Sequence, residues 1–169
     1  MPDDLARTPG GAVLMDGIRL RDETIARLRR EIEAAGSPHV CLATVLVGDD
    51  KPSRAYINSK QKKAGEAGIV SKHTDLPATA TQAEVNAVIE SLAADPMVHG
   101  ILCQFPLPAG LDADEVLAHI PPEKDVDGLT ERSLGRLVRA RPATSAAHRS
   151  GSCGCSSATG WPPRASGPS

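Results

Sequence analysis

Aromatic side chains are nearly missing: one Phe, one Trp and one Tyr make up 2% of the 169 residues. That excludes the stacked platforms on which proteins hold single-stranded nucleic acid. A surplus of positive charge is missing too, with 19 Lys and Arg against 21 Asp and Glu and a formal net charge of −2. Such a balance argues against a chain built to coat nucleic acid or an anionic membrane. No stretch approaches the roughly 20 apolar residues of a membrane span. The opening Met1-Pro2-Asp3-Asp4-Leu5 lacks the basic flank and apolar run of a signal peptide, so a cytoplasmic location is the expectation. The four cysteines then carry little weight as a disulfide framework. Cys41 and Cys103 lie inside apolar runs and read as core residues, while Cys153-Gly154-Cys155 has no neighbours to complete a metal site.

Hydrophobic residues at 40% and charged residues at 24% suit a single packed domain. The averages hide a break near Val138. The 31 residues from Arg139 to Ser169 include seven Ser, six Ala and four each of Gly, Pro and Arg, with no Leu, Ile, Val, Phe, Met or acidic residue. This segment carries +4 and residues 1–138 carry −6, which together give −2. So few apolar side chains cannot offset the entropy of ordering a backbone, and a disordered tail over 139–169 is expected. Residues 1–12 read as an N-terminal extension and 13–138 as the folded body.

Within the body, helical and strand patterns alternate. After the apolar run Ala12–Met15, Ile18, Ile25, Leu28 and Ile32 recur at helical spacing up to about Gly36. VCLATVLV, from Val40 to Val47, is apolar at nearly every position, as in a strand buried on both faces. It ends in Gly48-Asp49-Asp50, and Pro52 opens a helix running to about Ala67. Ile69 to Leu76 reads as another strand. Thr81 and Glu84 form a capping box ahead of Val85, Val88, Ile89 and Leu92. GILCQF, Gly100 to Phe105, is a further buried strand, and Asp112 to Ile120 a short helix closed by Pro121-Pro122. This order predicts an α/β fold: a small open parallel sheet flanked by helices in three layers. Ligands of such sheets bind beyond the carboxyl ends of the strands, where Gly48–Ser53 and Gln104–Pro108 lie and over which Lys124–Gly128 can fold.

Tyr56 and Lys60, four residues apart, share a helix face. A lysine beside an apolar surface loses hydration, its pKa falls, and it becomes a usable general acid or base. The spacing equally fits a solvated basic face shared with Lys62 and Lys63. Gln104 ends an apolar strand, where its amide either holds an ammonium or substrate amide or is a plain sheet-edge polar group. Asp125 and Asp127 can grip the donor edge of a heterocycle or cap a turn. Tyr-x-x-x-Lys also occurs in short-chain dehydrogenases, but Gly10-Gly11 is no dinucleotide turn, there is no P-loop, and no residues have metal-ligand spacing.

Three segments in order, VLVGDDKPSRAYINSKQKKAGEAGI, GILCQFPLP and PPEKDVDGLT, resemble the catalytic domain of bifunctional methylenetetrahydrofolate dehydrogenase/methenyltetrahydrofolate cyclohydrolases. The resemblance covers roughly Met15 to Val138. It implies tetrahydrofolate derivatives as substrates, with methylene-, methenyl- and formyl-tetrahydrofolate interconverted. It also implies a homodimer, as is common in the family, and NADP as the cofactor, with no metal. Lys60 resembles the family's proton-moving lysine, Tyr56 the tyrosine lying against the folate ring, and Gln104 the glutamine that pairs with the lysine. Asp127 resembles the carboxylate that recognises the pterin, while Asp125 shapes the loop. Ser53 stands near the lysine, and Cys103 and Phe105, flanking Gln104, fall among the substrate contacts.

The family's second half resembles an NADP-binding Rossmann domain, and on this reading the cofactor site and the hydride step are missing from the chain. Codons permitted by Thr144–Gly160 in a shifted frame, with third bases and serine codon boxes freely chosen, spell V-x-C-T-P-I-G-V-L-R-L-L-E-R-Y-G, similar to the start of that half. The tail is therefore expected to be an out-of-frame reading that begins between about Val138 and Ala143. A non-catalytic remnant and a small α/β binding module are the alternative functions.

Overall fold

The computed structural model describes residues 9–12, 14 and 16–139. The expected tail, apart from Arg139, and most of the expected N-terminal extension lie outside the described residues. The elements are α1 (Gly17–Ala34), β1 (Cys41–Val47), α2 (Lys51–Glu66), β2 (Val70–Leu76), α3 (Gln82–Ala94), β3 (Gly100–Cys103), α4 (Ala113–Ala118) and α5 (Glu131–Val138).

The three strands form one parallel sheet in the order β2-β1-β3. The VCLATVLV run takes the central place because only a central strand buries both of its faces. Cys41, Ala43, Val45 and Val47 pack with Val85, Ile89 and Leu92 of α3. The alternate residues face α2, where Thr44 accepts a 3.5 Å hydrogen bond from Gln61 and Ile57 is fully buried. β2 (VSKHTDL) mixes charged and apolar residues, as expected of an edge strand whose outer side meets water. α1 buries no residue completely and rests on α2, with its charges paired along its own surface, as in Arg19–Glu23 at 2.7 Å.

The helix starts follow the sequence closely. Asp16 accepts from the Ile18 and Arg19 amides at the head of α1, and Thr81 and Glu84 complete a reciprocal cap on α3. β3 stops at Cys103, two residues short of the expected Phe105, because its ladder with β1 runs out. The Gln104 amide makes the last rung to Val45 O at 2.9 Å, and the Phe105–Pro106 peptide that follows is cis. α5 is an element beyond those expected from the sequence pattern; Thr130 caps it by accepting from the Ser133 amide.

The chain leaves β1 through α2 to reach β2 on one side, then passes through α3 to reach β3 on the other. The direction of winding therefore reverses at β1. In an open parallel sheet that reversal opens a crevice beyond the carboxyl ends of the two strands that flank it, here β1 and β3.

Candidate functional site

α2 starts directly after β1, with Asp50 as its N-cap and Pro52 in the first turn. Ser53, Ile57 and Ala64 form its buried stripe, and Lys60 lies on the same stripe between Ile57 and Ala64. An ammonium in that row is pulled half out of water. Its nitrogen sits 4.4 Å from the centre of the Tyr56 ring, one turn earlier on the helix. A cation over an aromatic face gains roughly 0.5–1 kcal/mol at an open site and more when desolvated. Loss of hydration pushes the Lys60 pKa down, and attraction to Asp127 offsets part of that fall.

Asp127 comes from the loop between α4 and α5. Burial pushes its carboxyl above the ordinary aspartate range, as does the nearby Asp125, while Lys60 pulls it back. The pair is coupled by charge across the strand-end edge, with no hydrogen bond between the two side chains. The loop is held beside β3: Ile101 donates to Lys124 O at 2.7 Å, and Ile101 pairs with Asp125 as an isolated parallel bridge. Asp125 is buried and accepts from the amides of Gly128 (2.8 Å), Thr130 (2.9 Å) and Leu129 (3.3 Å).

The other candidates fall into two groups. Gln104 stands at the same strand end, its Nε2 donating to Phe105 O at 2.7 Å and its buried Oε1 without a partner. No hydrogen bond joins it to Lys60. Cys103 is buried behind Gln104, and burial together with Asp127 pushes its thiol up to about 12, so it stays protonated. Phe105 packs half-buried against the core below the edge. Ser53 is buried two turns from Lys60, roughly 10 Å along the helix axis, and its hydrogen bonds go to the Asp50 cap. Lys62 is exposed, and Lys63 pairs with Glu66 at 2.7 Å. The structure thus brings Lys60, Tyr56 and Asp127 together, with Gln104 at the end of the neighbouring strand.

Sequence reasoning assigned nothing to Lys124, whose ammonium donates to three main-chain carbonyls at the end of α3. Its one sequence signal is a lysine directly before the two aspartates. Among the described residues, no group of three or more His, Cys, Asp or Glu could hold a metal, and no helix is long and apolar enough to cross a membrane.

Residues 15–127 match the family description "Tetrahydrofolate dehydrogenase/cyclohydrolase, catalytic domain". The chain is 49% identical over 135 residues to Bifunctional protein FolD 2 of Frankia alni, covering 78% of this chain and 46% of that protein. It therefore spans about half the length of the curated relatives it matches. The crystal structure of the bifunctional enzyme FolD (methylenetetrahydrofolate dehydrogenase/cyclohydrolase) from Campylobacter jejuni superposes with a TM-score of 0.85 at 33% identity, covering 88% of this chain and 54% of that one. The N5,N10-methylenetetrahydrofolate dehydrogenase-cyclohydrolase of Trypanosoma brucei, complexed with NADP cofactor and an inhibitor, gives a TM-score of 0.75 at 26% identity over 85% of this chain and 49% of that one.

Each helix start holds one or two amides with its own cap: Asp16, Asp50 and Asp112 on α1, α2 and α4, and Thr81 and Thr130 on α3 and α5.

Proposed function

The chain belongs to the tetrahydrofolate dehydrogenase/cyclohydrolase family, whose catalytic-domain description matches residues 15–127, and from that premise we propose that the Lys60 edge binds one-carbon tetrahydrofolates and hydrolyses the methenyl form to the formyl form. The observation that carries this reading is the half-buried Lys60 ammonium, desolvated and stacked on Tyr56, with Asp127 facing it.

A lysine whose pKa is lowered supplies the neutral amine that proton transfer requires. The oxygen of a water molecule bonds to the carbon bridging the two folate nitrogens, and one of its protons passes to the Lys60 amine. The ammonium returns that proton to the departing ring nitrogen as the carbon–nitrogen bond breaks. The hydroxyl proton left on the new oxygen goes to solvent as the formyl group forms, so the cation becomes a neutral product plus one proton. Tyr56, more than half exposed, offers a ring face for the flat heterocycle. Asp127 accepts from the donor edge of the pterin, and the unpartnered Gln104 Oε1 is an acceptor for a substrate N–H or for Lys60. No hydride step is derived from these residues.

The test follows methenyl-tetrahydrofolate absorbance with this chain and with Lys60→Ala. Faster loss of the methenyl form with the unmodified chain supports the proposal, and equal rates refute it. Folate binding without turnover is the outcome expected of a non-catalytic remnant.

A further inference from the structure

We propose that Lys124 is a positioning residue of this site, fastening the Asp125–Gly128 loop to α3 and β3 so that Asp127 is held opposite Lys60. The inference deepens the reading above and rests on Lys60 being the group that moves the proton.

An ammonium has three N–H donors and no acceptor. Lys124 directs its own to Ala93 O at 2.7 Å, Asp95 O at 2.8 Å and Leu92 O at 3.4 Å. These are carbonyls at the end of α3, where the last turn lacks internal partners and carries partial negative charge. The Lys124 backbone is tied as well, its N–H donating to Pro121 O at 2.8 Å and its C=O accepting from Ile101 N at 2.7 Å. One residue thus joins a helix end, a strand edge and a loop. Immediately beyond it, Asp125 gathers the amides of Gly128, Leu129 and Thr130. Asp127 lies inside the turn closed by these two anchors. The hydrogen-bond partners of the Lys124 ammonium are carbonyls 29–32 residues back in the chain, and the Asp95 carboxylate adds a charge attraction, so the contact fixes the loop against a separate element and does not build the loop itself.

The groups that act on Lys60 and Asp127 are few. Tyr56 faces Lys60 from its own helix and Asp127 faces it from the loop, while Asp125 and Cys103 stand beside Asp127. The influence of Asp127 on Lys60 therefore reports whether the loop is in place.

The experiment titrates Lys60 by 13C NMR of the full chain labelled at lysine, its signal assigned by loss in Lys60→Arg. In the unmodified background, Asp127→Asn should lower the Lys60 midpoint by about half a unit, through loss of one nearby opposite charge. In a Lys124→Met background the same substitution should move it by less than half as much, and Lys124→Arg should restore the full shift. If Lys124→Met does not fold, Lys124→Gln carries the same comparison. An undiminished Asp127→Asn shift without Lys124 overturns the proposal, and so does the absence of any shift when Lys124 is present. None of these readouts needs folate, so a chain without turnover would sink the enzymatic reading and leave this measurement standing on its own.

Discussion

Asp125 and Asp127 are separated by one residue, yet their carboxyls are pushed in opposite directions. Burial alone would raise both. At Asp125, hydrogen bonds from the Thr130 and Leu129 amides and from the Ser133 and Thr130 hydroxyls outweigh it, and the carboxyl sits below the ordinary aspartate range. Asp127 has no such donors and stays above it. Two adjacent carboxylates thereby take different jobs: one is a fixed part of the backbone, the other an acceptor whose charge depends on what faces it.

The first expected outcome concerns Asp125. Asp125→Ala leaves the buried amides of Gly128 and Thr130 without acceptors and should cost about 3 kcal/mol, since a hydrogen bond to a charged group is worth roughly 1.5–3 kcal/mol and an unmet buried donor costs roughly 1–3 kcal/mol. The pH sign follows from the lowered pKa. The contribution is present above the unfolded value near 3.8 and is lost as pH falls through the lower folded value. Asp125→Asn should therefore flatten the acid limb of stability, as read from urea midpoints between pH 3 and 7.

A second outcome separates charge from proton transfer at position 60. Lys60→Arg keeps a cation over Tyr56 but cannot deprotonate at accessible pH. Turnover of methenyl-tetrahydrofolate should fall by about 10²–10⁴-fold, the usual value of a general acid–base group, with folate affinity changing far less. In the unmodified chain the rate should climb with pH through a midpoint below the ordinary lysine value of 10.5, because desolvation favours the neutral amine. Paired kcat and Kd measurements check the first half, and a pH–rate profile the second.

What could be read in advance divides along physical lines. The centre of the sheet was legible because VCLATVLV is apolar on both faces, and α3 because Thr81 and Glu84 announce its start. Tyr56 and Lys60 shared a face by spacing alone. The neighbour of Lys60 was a different matter. Asp127 reaches it through a loop 67 residues later, and no local periodicity encodes that approach. α5 escaped notice because ERSLGRLV is short and holds a glycine at its centre, and Lys124 because its partners are main-chain carbonyls with no sequence signature.

The third outcome compares two glycines of similar backbone conformation. Gly48 has φ +88° and Gly110 φ +96°. Placing a Cβ in this region strains either one by about 1–2 kcal/mol. At Gly110 the added atom meets nothing within 4 Å, whereas at Gly48 it falls 3.3 Å from Pro108 Cγ and 3.6 Å from Ala78 Cβ. Gly48 is where the chain turns from β1 towards α2, and Pro108 closes the loop that begins at Gln104. Gly48→Ala should therefore lower Tm more than Gly110→Ala, and it alone should weaken folate binding.

The lack of room at Gly100 predicts a compensating pair. A Cβ on Gly100 would lie 2.5 Å from Val126 Cγ1 and 3.4 Å from Leu42 Cδ1. The Leu42 contact is an ordinary van der Waals distance, so Val126, on the loop between Asp125 and Asp127, is the side chain that has to move. Gly100→Ala alone should cost about 1–3 kcal/mol, as overpacking generally does, and should reduce turnover by displacing Asp127. Val126 is 36% exposed, so Val126→Ala by itself should cost under about 1 kcal/mol. In the double variant the removed methyls make room for the added one, and the two costs should fall short of additivity by about 0.5 kcal/mol or more. Urea unfolding of the four chains measures this coupling. Strict additivity would mean that the loop does not bear on Gly100.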